Sequence, residues 1–421
     1  MLRKLGYKQT YFVLVLLLFV IGLFLRAYNF QNRLIFGPEQ AISLITGAEN
    51  LDKFSLLGEI NVQRSTSTGL NPFHGAYFNY FLIPFILLFN FQPLPITYVF
   101  LFLNLLTAFI FFRVTRKIFG ETIAIFSLTY FIFSDKMIHH SLFIWNLNFL
   151  PLLGVLALWF LYKLKEKPSD FSSPFWVGII NGVGFGLQYL FFPFIVLISG
   201  ITIFLSKKKI DALALLIAGS VIGSLSMVIF DLRHDFYYVR TLWQILLDVL
   251  SHRVGGNVSY YDFMYILPFL FLFFSWITEL LYKYYKPLCF FPIIIFIVIN
   301  LKSPLINFQQ STGVIPGINL KAYESFSAEI NKDNPPEKFN VATLWDFDTR
   351  AYPLRYFLTY LYRKTPQGLE DYHDLDALYV AAPDSYDINH PSVFELNAYE
   401  PYQVIVLSSE VPGFKLYKLT K

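Results

Sequence analysis

The sequence predicts a mainly α chain: a polytopic helical membrane domain of about nine spans with outer juxtamembrane helices, followed by a small soluble α/β domain. Three observations carry that prediction. Of 421 residues, 55% are hydrophobic and 15% charged, against about 45–50% and about 25% in soluble chains. Apolar runs of span length recur through residues 1–303 and then stop. The charge divides at the same point. Residues 1–303 hold 23 Lys+Arg against 14 Asp+Glu, and residues 304–421 hold 10 against 15. The reading is therefore a membrane domain over 1–303 and an acidic extracytoplasmic domain over 304–421.

The same arithmetic excludes other classes. A chain with 48 Phe and 28 Tyr cannot stay solvated as a disordered polymer. A net charge of +4 without a dense basic stripe outside the membrane flanks gives no footprint for nucleic acid. One cysteine, Cys289, leaves no intrachain disulfide and no Cys-rich zinc site.

A hydrocarbon core of about 30 Å takes about 20 helical residues. The runs 11–28, 96–112, 118–134, 143–162, 210–230, 263–282 and 287–302 meet that need. The run 175–205 is too long for one upright span, and reads as a hairpin turning near Gln188–Pro193. Basic clusters at Arg3/Lys4/Lys8, Arg113/Arg116/Lys117, Lys163/Lys165/Lys167, Lys207–Lys209 and Lys283/Lys286 are expected on the cytoplasmic side. That places the N-terminus inside, the tail outside and the chain in the plasma membrane. It also keeps 77–91, interrupted by Pro84, out of the bilayer as an outer juxtamembrane helix. On such a helix Asn79 and Asn90 fall on one face. No Asp, Glu, Lys or Arg lies near the middle of a span, which counts against an ion or proton pump.

Polar chemistry gathers on the outer side. After the first span comes Phe36-Gly37-Pro38-Glu39-Gln40, in which Pro38 starts a helix with Glu39 in its first turn. A carboxylate held there at the bilayer edge suits a general base. The ordinary alternative is that Glu39 only complements the helix start. His74, His139, His140 and His234, four of the seven histidines, are expected near outer span ends. They have no fixed metal-ligand spacing. Lys136 and Arg233 are candidates to meet a phosphate. Each of these also reads as an interfacial group solvating a helix end.

In order along residues 1–240, the chain resembles the C-type (GT-C) membrane glycosyltransferases, the superfamily of protein O-mannosyltransferases and lipid A aminoarabinose transferases. The resemblance rests on Pro38-Glu39-Gln40, Pro72 with Tyr77-Phe78-Asn79-Tyr80, and Arg113-x-x-Arg116-Lys117-Ile118-Phe119-Gly120. It continues through Trp145-Asn146-Leu147-Asn148-Phe149-Leu150-Pro151, Gly186-Leu187-Gln188-Tyr189 and Asp231-Leu232-Arg233-His234. It implies transfer of a sugar from a polyprenyl-phosphate donor to a hydroxyl of a lipid, glycan or protein acceptor, with inversion, on the outer face. It implies Glu39 as the catalytic carboxylate. It implies Gln40, His74, Lys136, His139, His140, Asn146, Asn148, Gln188, Tyr189, Asp231, Arg233 and His234 as substrate-binding residues. Lys136, Arg233 and His234 would face the phosphate beside Asp231. The motif departs from the family where Gln40 and Asn148 stand at positions that often carry acids, and Leu142 at one that carries Arg in some members. No cofactor is implied with certainty, and a divalent metal stays open.

The tail reads as strands over Phe339–Leu344 and Leu378–Ala382, a helix over Tyr352–Lys364, and a hairpin of Tyr402–Leu407 with Phe414–Leu419. Asp346-Phe347-Asp348 reads as turn and cap rather than cation site. Two other classes compete with an enzyme: a lipid or polysaccharide transporter, and a non-catalytic scaffold. Convergence of Glu39, His74, Asn148, Asp231 and His234 on one outer cavity favours the enzyme. Scatter favours the scaffold, and a midplane pore favours transport.

Overall fold

The computed structural model describes residues 7–60, 66–251, 259–312, 315, 317–345, 349–407 and 410–421. Asp346, Phe347 and Asp348 lie outside the described residues. The chain begins with α1 (Tyr7–Ala27), α2 (Pro38–Glu49), the short strands β1 (Leu57–Ile60) and β2 (Phe73–Gly75), and α3 (Tyr77–Leu88). Next come α4 (Pro93–Phe119), α5 (Glu121–Phe133), α6 (Leu150–Glu166), α7 (Ser172–Leu187) and α8 (Phe192–Leu205). The membrane part closes with α9 (Lys209–Gly223), α10 (Leu225–Arg233), α11 (Tyr237–Leu250), α12 (Leu267–Tyr284) and α13 (Phe290–Leu301).

Lys8–Ala27, Pro93–Phe119, Asn146–Glu166 and Tyr260–Tyr284 are each long and apolar enough to cross a membrane. The helices α3, α5 and α13 are shorter and equally apolar, as is Tyr189–Leu205, which contains α8. Large apolar side chains such as Phe12, Leu16, Phe102 and Phe204 point outward from these helices. So much exposed apolar surface is compatible with lipid and not with water. The chain is a multi-pass membrane protein. The run 175–205 divides into α7 and α8 around Gln188–Phe191, at the expected turn.

Two expectations change. The run 210–230 is not one straight span, because α9 and α10 are bent by 77°. The bend falls at Gly223-Ser224, a Gly/Ser pair of the kind that breaks helix geometry. Helix α3 ends at Leu88, and Asn90 follows it with φ 48°, so Asn90 does not share the face of Asn79.

Aromatic pairs such as Phe111–Phe271 and Tyr130–Phe296 pack between helices, and small and polar residues make the closest contacts. Along α7 and α9, Gly178, Gly182, Gly219 and Gly223 bring the two backbones together. A Cβ at Gly219 would lie 2.2 Å from the Phe175 carbonyl oxygen, and one at Gly182 2.3 Å from that of Ser220. Small residues four apart on both helices make this the close packing typical of membrane helices. Gly219→Ala should therefore lower stability by about 1–3 kcal/mol, read as a fall in melting temperature of the detergent-purified protein. An unchanged Tm would show that the two backbones are free to separate. Arg26 is fully buried. Its Nε donates to Asn104 Oδ1 at 2.8 Å and its Nη1 to the Gly22 and Ile132 carbonyls, joining α1, α4 and α5. Ser127–Ser275 and Tyr130–Thr278 hydrogen bonds join α5 to α12.

The tail holds α14 (Leu320–Lys332), β3 (Phe339–Thr343), α15 (Tyr352–Tyr356), β4 (Ala377–Pro383), β5 (Gln403–Leu407) and β6 (Phe414–Thr420). Its sheet runs β3-β4-β6-β5, with β3 parallel to β4 and the other pairs antiparallel. The expected helix 352–364 is shorter, passing from α15 into a π turn over Phe357–Leu361. In this segment Leu354, Phe357 and Leu358 are buried and Leu361 half-buried. The tail is seated on loops of the membrane part. Phe36, fully buried, packs against Tyr323, Tyr356 and Phe357, and Tyr356 Oη donates to the Phe91 carbonyl at 2.6 Å.

Candidate active site

The site starts at the first turn of α2. Gly37 is the N-cap and Pro38 fixes the first helical residue. Gln40 Oε1 accepts the Gly37 N–H at 2.9 Å, so Gln40 is spent on closing the helix start. Ala41, Leu44 and Ala48 are buried, which anchors α2 along its inner face. Glu39 is thereby held on the opposite side, with its side chain exposed where it lines a cavity. The protein around it still holds its carboxyl above the usual range, through loss of solvation.

A second carboxylate meets it. Strand β1 pairs with β2 antiparallel, with Leu57 opposite Gly75 and Ile60 opposite Phe73. Gly58 permits the approach, because a Cβ there would lie 2.8 Å from both Asn79 Oδ1 and the Gly75 carbonyl. The next residue, Glu59, has its Oε1 shielded from solvent without a hydrogen-bond partner among the described residues. Burial, and secondarily the charge of Glu39, push the Glu59 carboxyl up to about 7, against the opposing influence of the polar Ser43 and Asn79 side chains. The Ser43 hydroxyl donates to the Glu39 carbonyl at 2.9 Å. Glu39 and Glu59 are thus electrostatically coupled neighbours, the first exposed and the second with one carboxylate oxygen shielded.

The pair borders a cavity of about 1910 Å³ between the membrane part and the tail. Glu39, Gln40, His74, His139, Asn146 and Gln188 line it, with Trp145, Tyr260, Tyr261 and Asp262. The tail supplies Arg350, Tyr352, Arg355, Tyr360, Glu370 and Glu395. His139 is buried with its Nδ1 3.2 Å from Thr312 Oγ1, and burial pushes its imidazole down to about 4. Asn146 donates to the Leu187 carbonyl at 2.7 Å, and Gln188 to Asp262 Oδ1 at 2.7 Å. These two bonds pin the α7–α8 turn to the cavity floor.

The other expected residues stand elsewhere. His140 lies behind Trp145, its ring stacked at 5.6 Å, with Nδ1 2.8 Å from Asn148 Oδ1. Burial pushes its imidazole down to about 3, so it is a neutral support for Trp145. Lys136 pairs with Asp135 at 3.3 Å and sits 5.4 Å above the Tyr260 ring, one layer behind the lining. Tyr189 belongs to the turn between α7 and α8, away from the lining. Asp231 accepts the Tyr238 and Val239 N–H groups at 2.7 and 3.1 Å, which caps α11. His234 Nδ1 bonds the Phe230 carbonyl, with its ring stacked on Phe230 at 4.0 Å. Arg233 is exposed at the end of α10. Of the five residues named for convergence, Glu39 and His74 meet in the cavity, and Asn148, Asp231 and His234 do not line it. Among the described residues no three or more His, Cys, Asp or Glu side chains are placed to hold a metal.

No family model matches the chain, and no curated protein does. Solved structures do. The structure of ArnT from Cupriavidus metallidurans in the apo state superposes with a TM-score of 0.51 over 98% of each chain, at 8% identity. This chain has the ArnT fold. The same ArnT bound to undecaprenyl phosphate gives 0.47 at 9% identity over 98% of each chain. The Archaeoglobus fulgidus oligosaccharyltransferase in complex with Zn and sulfate gives 0.48 at 10% identity, over 88% of this chain and 68% of that one. The sequence resemblance ran over residues 1–240, whereas the ArnT-like fold takes in the tail as well.

Proposed function

We propose that this protein is an integral-membrane glycosyltransferase. It moves a sugar from a polyprenyl-phosphate donor to an acceptor hydroxyl, with inversion, on the extracytoplasmic face of the plasma membrane. The observation that carries the proposal is the Glu39–Glu59 pair, held at a large cavity between the helices and the tail. Neighbouring carboxylates held above their ordinary range beside a cavity are a mark of a functional site.

In this reading Glu39 takes the proton of the acceptor hydroxyl. The freed oxygen attacks the anomeric carbon as the bond from that carbon to the phosphate oxygen breaks, and the lipid phosphate leaves with the electron pair. Phosphate is a good leaving group, so the protein mainly supplies a base and charge complementarity. Of the arginines lining the cavity, Arg355 is spent on the Arg350 and Gln367 carbonyls, Asn340 and Tyr372. Arg350 is half exposed in a 2.6 Å pair with Glu370, and takes the role of phosphate partner that the sequence suggested for Lys136 and Arg233. In this reading the cavity meets the bilayer edge, so a carrier tail stays in lipid while its sugar reaches the pair.

The topology belongs to the proposal: nine crossings, N-terminus and five basic clusters inside, tail outside. In a Cys289→Ser background, an impermeant thiol reagent added to intact cells should label Arg350→Cys and spare Arg116→Cys and Lys208→Cys. Outside labelling of Arg116→Cys overturns that topology. For activity, membranes holding the protein are incubated with a panel of polyprenyl-phosphate sugars, and release of polyprenyl phosphate is measured. Release above protein-free membranes is expected for at least one sugar. None across the panel, with folded protein present, refutes the donor class.

A further inference from the structure

A second cavity, of about 180 Å³, opens at the far end of α7. Helix α7 has 16 residues and so a length of about 24 Å. Its Leu187 is pinned at the large cavity, and its Pro174 lines the small one. The walls of the small cavity are the α6–α7 loop, through Pro168, Phe171 and Pro174, and the α8–α9 link, through Ser206, Lys207 and Lys208. The Lys207 N–H donates to the Pro168 carbonyl at 2.8 Å, which ties the two walls together. A water takes about 30 Å³ of liquid volume. The space therefore equals about six waters, room for a phosphodiester headgroup and little more.

Its surroundings are basic. Lys163, Lys165 and Lys167 stand at the end of α6 and Lys207–Lys209 lead into α9, against three acids, Glu166, Asp170 and Asp211. Two of those acids are committed. Asp170 accepts the Ser173 N–H at 3.2 Å and the Ser172 hydroxyl at 3.0 Å, and stands 3.9 Å from Lys163. Asp211 stands 3.6 Å from Lys208, whose ammonium also lies 5.4 Å from the Phe171 ring centroid. Lys165, Lys167, Lys207 and Lys209 are exposed and make no ion pair among the described residues. The mouth thus carries positive charge that these neighbours do not answer.

Apolar groups flank the same mouth. Phe204 at 79% and Ile210 at 84% exposure stand on either side of the lysine run, with Phe171 and Leu213 also outward. A soluble anion would meet the lysines and leave these side chains bare, whereas a lipid covers both. We propose that this pocket holds the phosphate headgroup of an anionic phospholipid of the inner leaflet, with its acyl chains on the Phe204 and Ile210 surface. Lysine stems lie along such apolar surface while the ammonium stays at headgroup level. Basic pockets between membrane helices suit anionic headgroups. The choice of leaflet rests on the topology proposed above, and the chemistry of the occupant does not.

The test is a thermal-shift titration of the full chain, purified and delipidated in a neutral maltoside detergent. Phosphatidylglycerol should raise Tm saturably, because a ligand held only by the folded state stabilises it by mass action. Phosphatidylcholine with the same chains should not. Lys207→Gln/Lys208→Gln should raise the half-saturating concentration about 10- to 30-fold. Lys207→Arg/Lys208→Arg keeps both charges and should titrate like the parent. So should Lys283→Gln/Lys286→Gln, a basic pair at the same membrane surface in the proposed topology. Equal weakening by the two Gln pairs overturns the pocket in favour of general charge attraction. An equal Tm rise from inorganic phosphate or glycerophosphoglycerol overturns the lipid in favour of a soluble anion. A parent that does not distinguish the two lipids overturns the proposal without any variant. The titration reads neither turnover nor sidedness, so its failure is separable from failure of the transferase and topology assignments.

Discussion

Glu39→Gln should lower sugar transfer by about 100- to 10,000-fold, the usual loss when a positioned general base is removed. The substitution keeps the side chain's size and removes only its proton affinity. The helix start survives, because the bond that closes it comes from Gln40 and not from Glu39. Expression, extraction and Tm should therefore match the parent protein, and donor release assayed with saturating acceptor should show the loss in kcat rather than KM. Glu39→Asp shortens the reach by one methylene and should fall between the two. Undiminished kcat in Glu39→Gln would take this carboxylate out of the mechanism and leave Glu59 as the base.

How far the sequence exposed this site differs from residue to residue. Glu39 was legible because one proline fixes a helix start just beyond an apolar span, and few charges compete for attention there. Glu59 was not. Its strand has four residues, too short for an alternating pattern, and its significance exists only once Ser43, Asn79 and Glu39 surround it. Asp231 and His234 drew attention as an acid and an imidazole close together at a span end. Asp231 is a helix cap for α11, and from sequence a capping carboxylate and a ligand-binding one look the same. The 77° bend had a visible sign, Gly223-Ser224, outweighed by the hydropathy of the whole run. The tail's part in the cavity had no sequence signal at all. Arg350, Glu370 and Glu395 become lining residues only through docking, which rests on Phe36 and Phe91, residues of the membrane part.

Glu59→Gln should stabilise the protein in a pH-dependent way. In the unfolded chain Glu59 titrates near its ordinary value of 4.5, and in the folded protein at about 7. The folded state thus holds a proton that the unfolded state has lost, and stability falls as pH rises through that interval. At pH 4, below both values, variant and parent should melt close together. At pH 8 the parent carries a desolvated anion that the variant lacks, and the variant should gain about 2–3 kcal/mol, read as a Tm difference that opens with pH. A gap of equal size at both pH values would mean that burial of this carboxylate is not what costs stability. Turnover should move the other way. Ionised Glu59 beside Glu39 raises the proton affinity of the base, so parent kcat/KM should climb through about pH 7 and the variant should lack that limb. A variant that gains stability while losing the limb would mark Glu59 as a residue kept against the interest of the fold. If the variant instead retains the limb, the titration belongs to another group and the two carboxylates act separately.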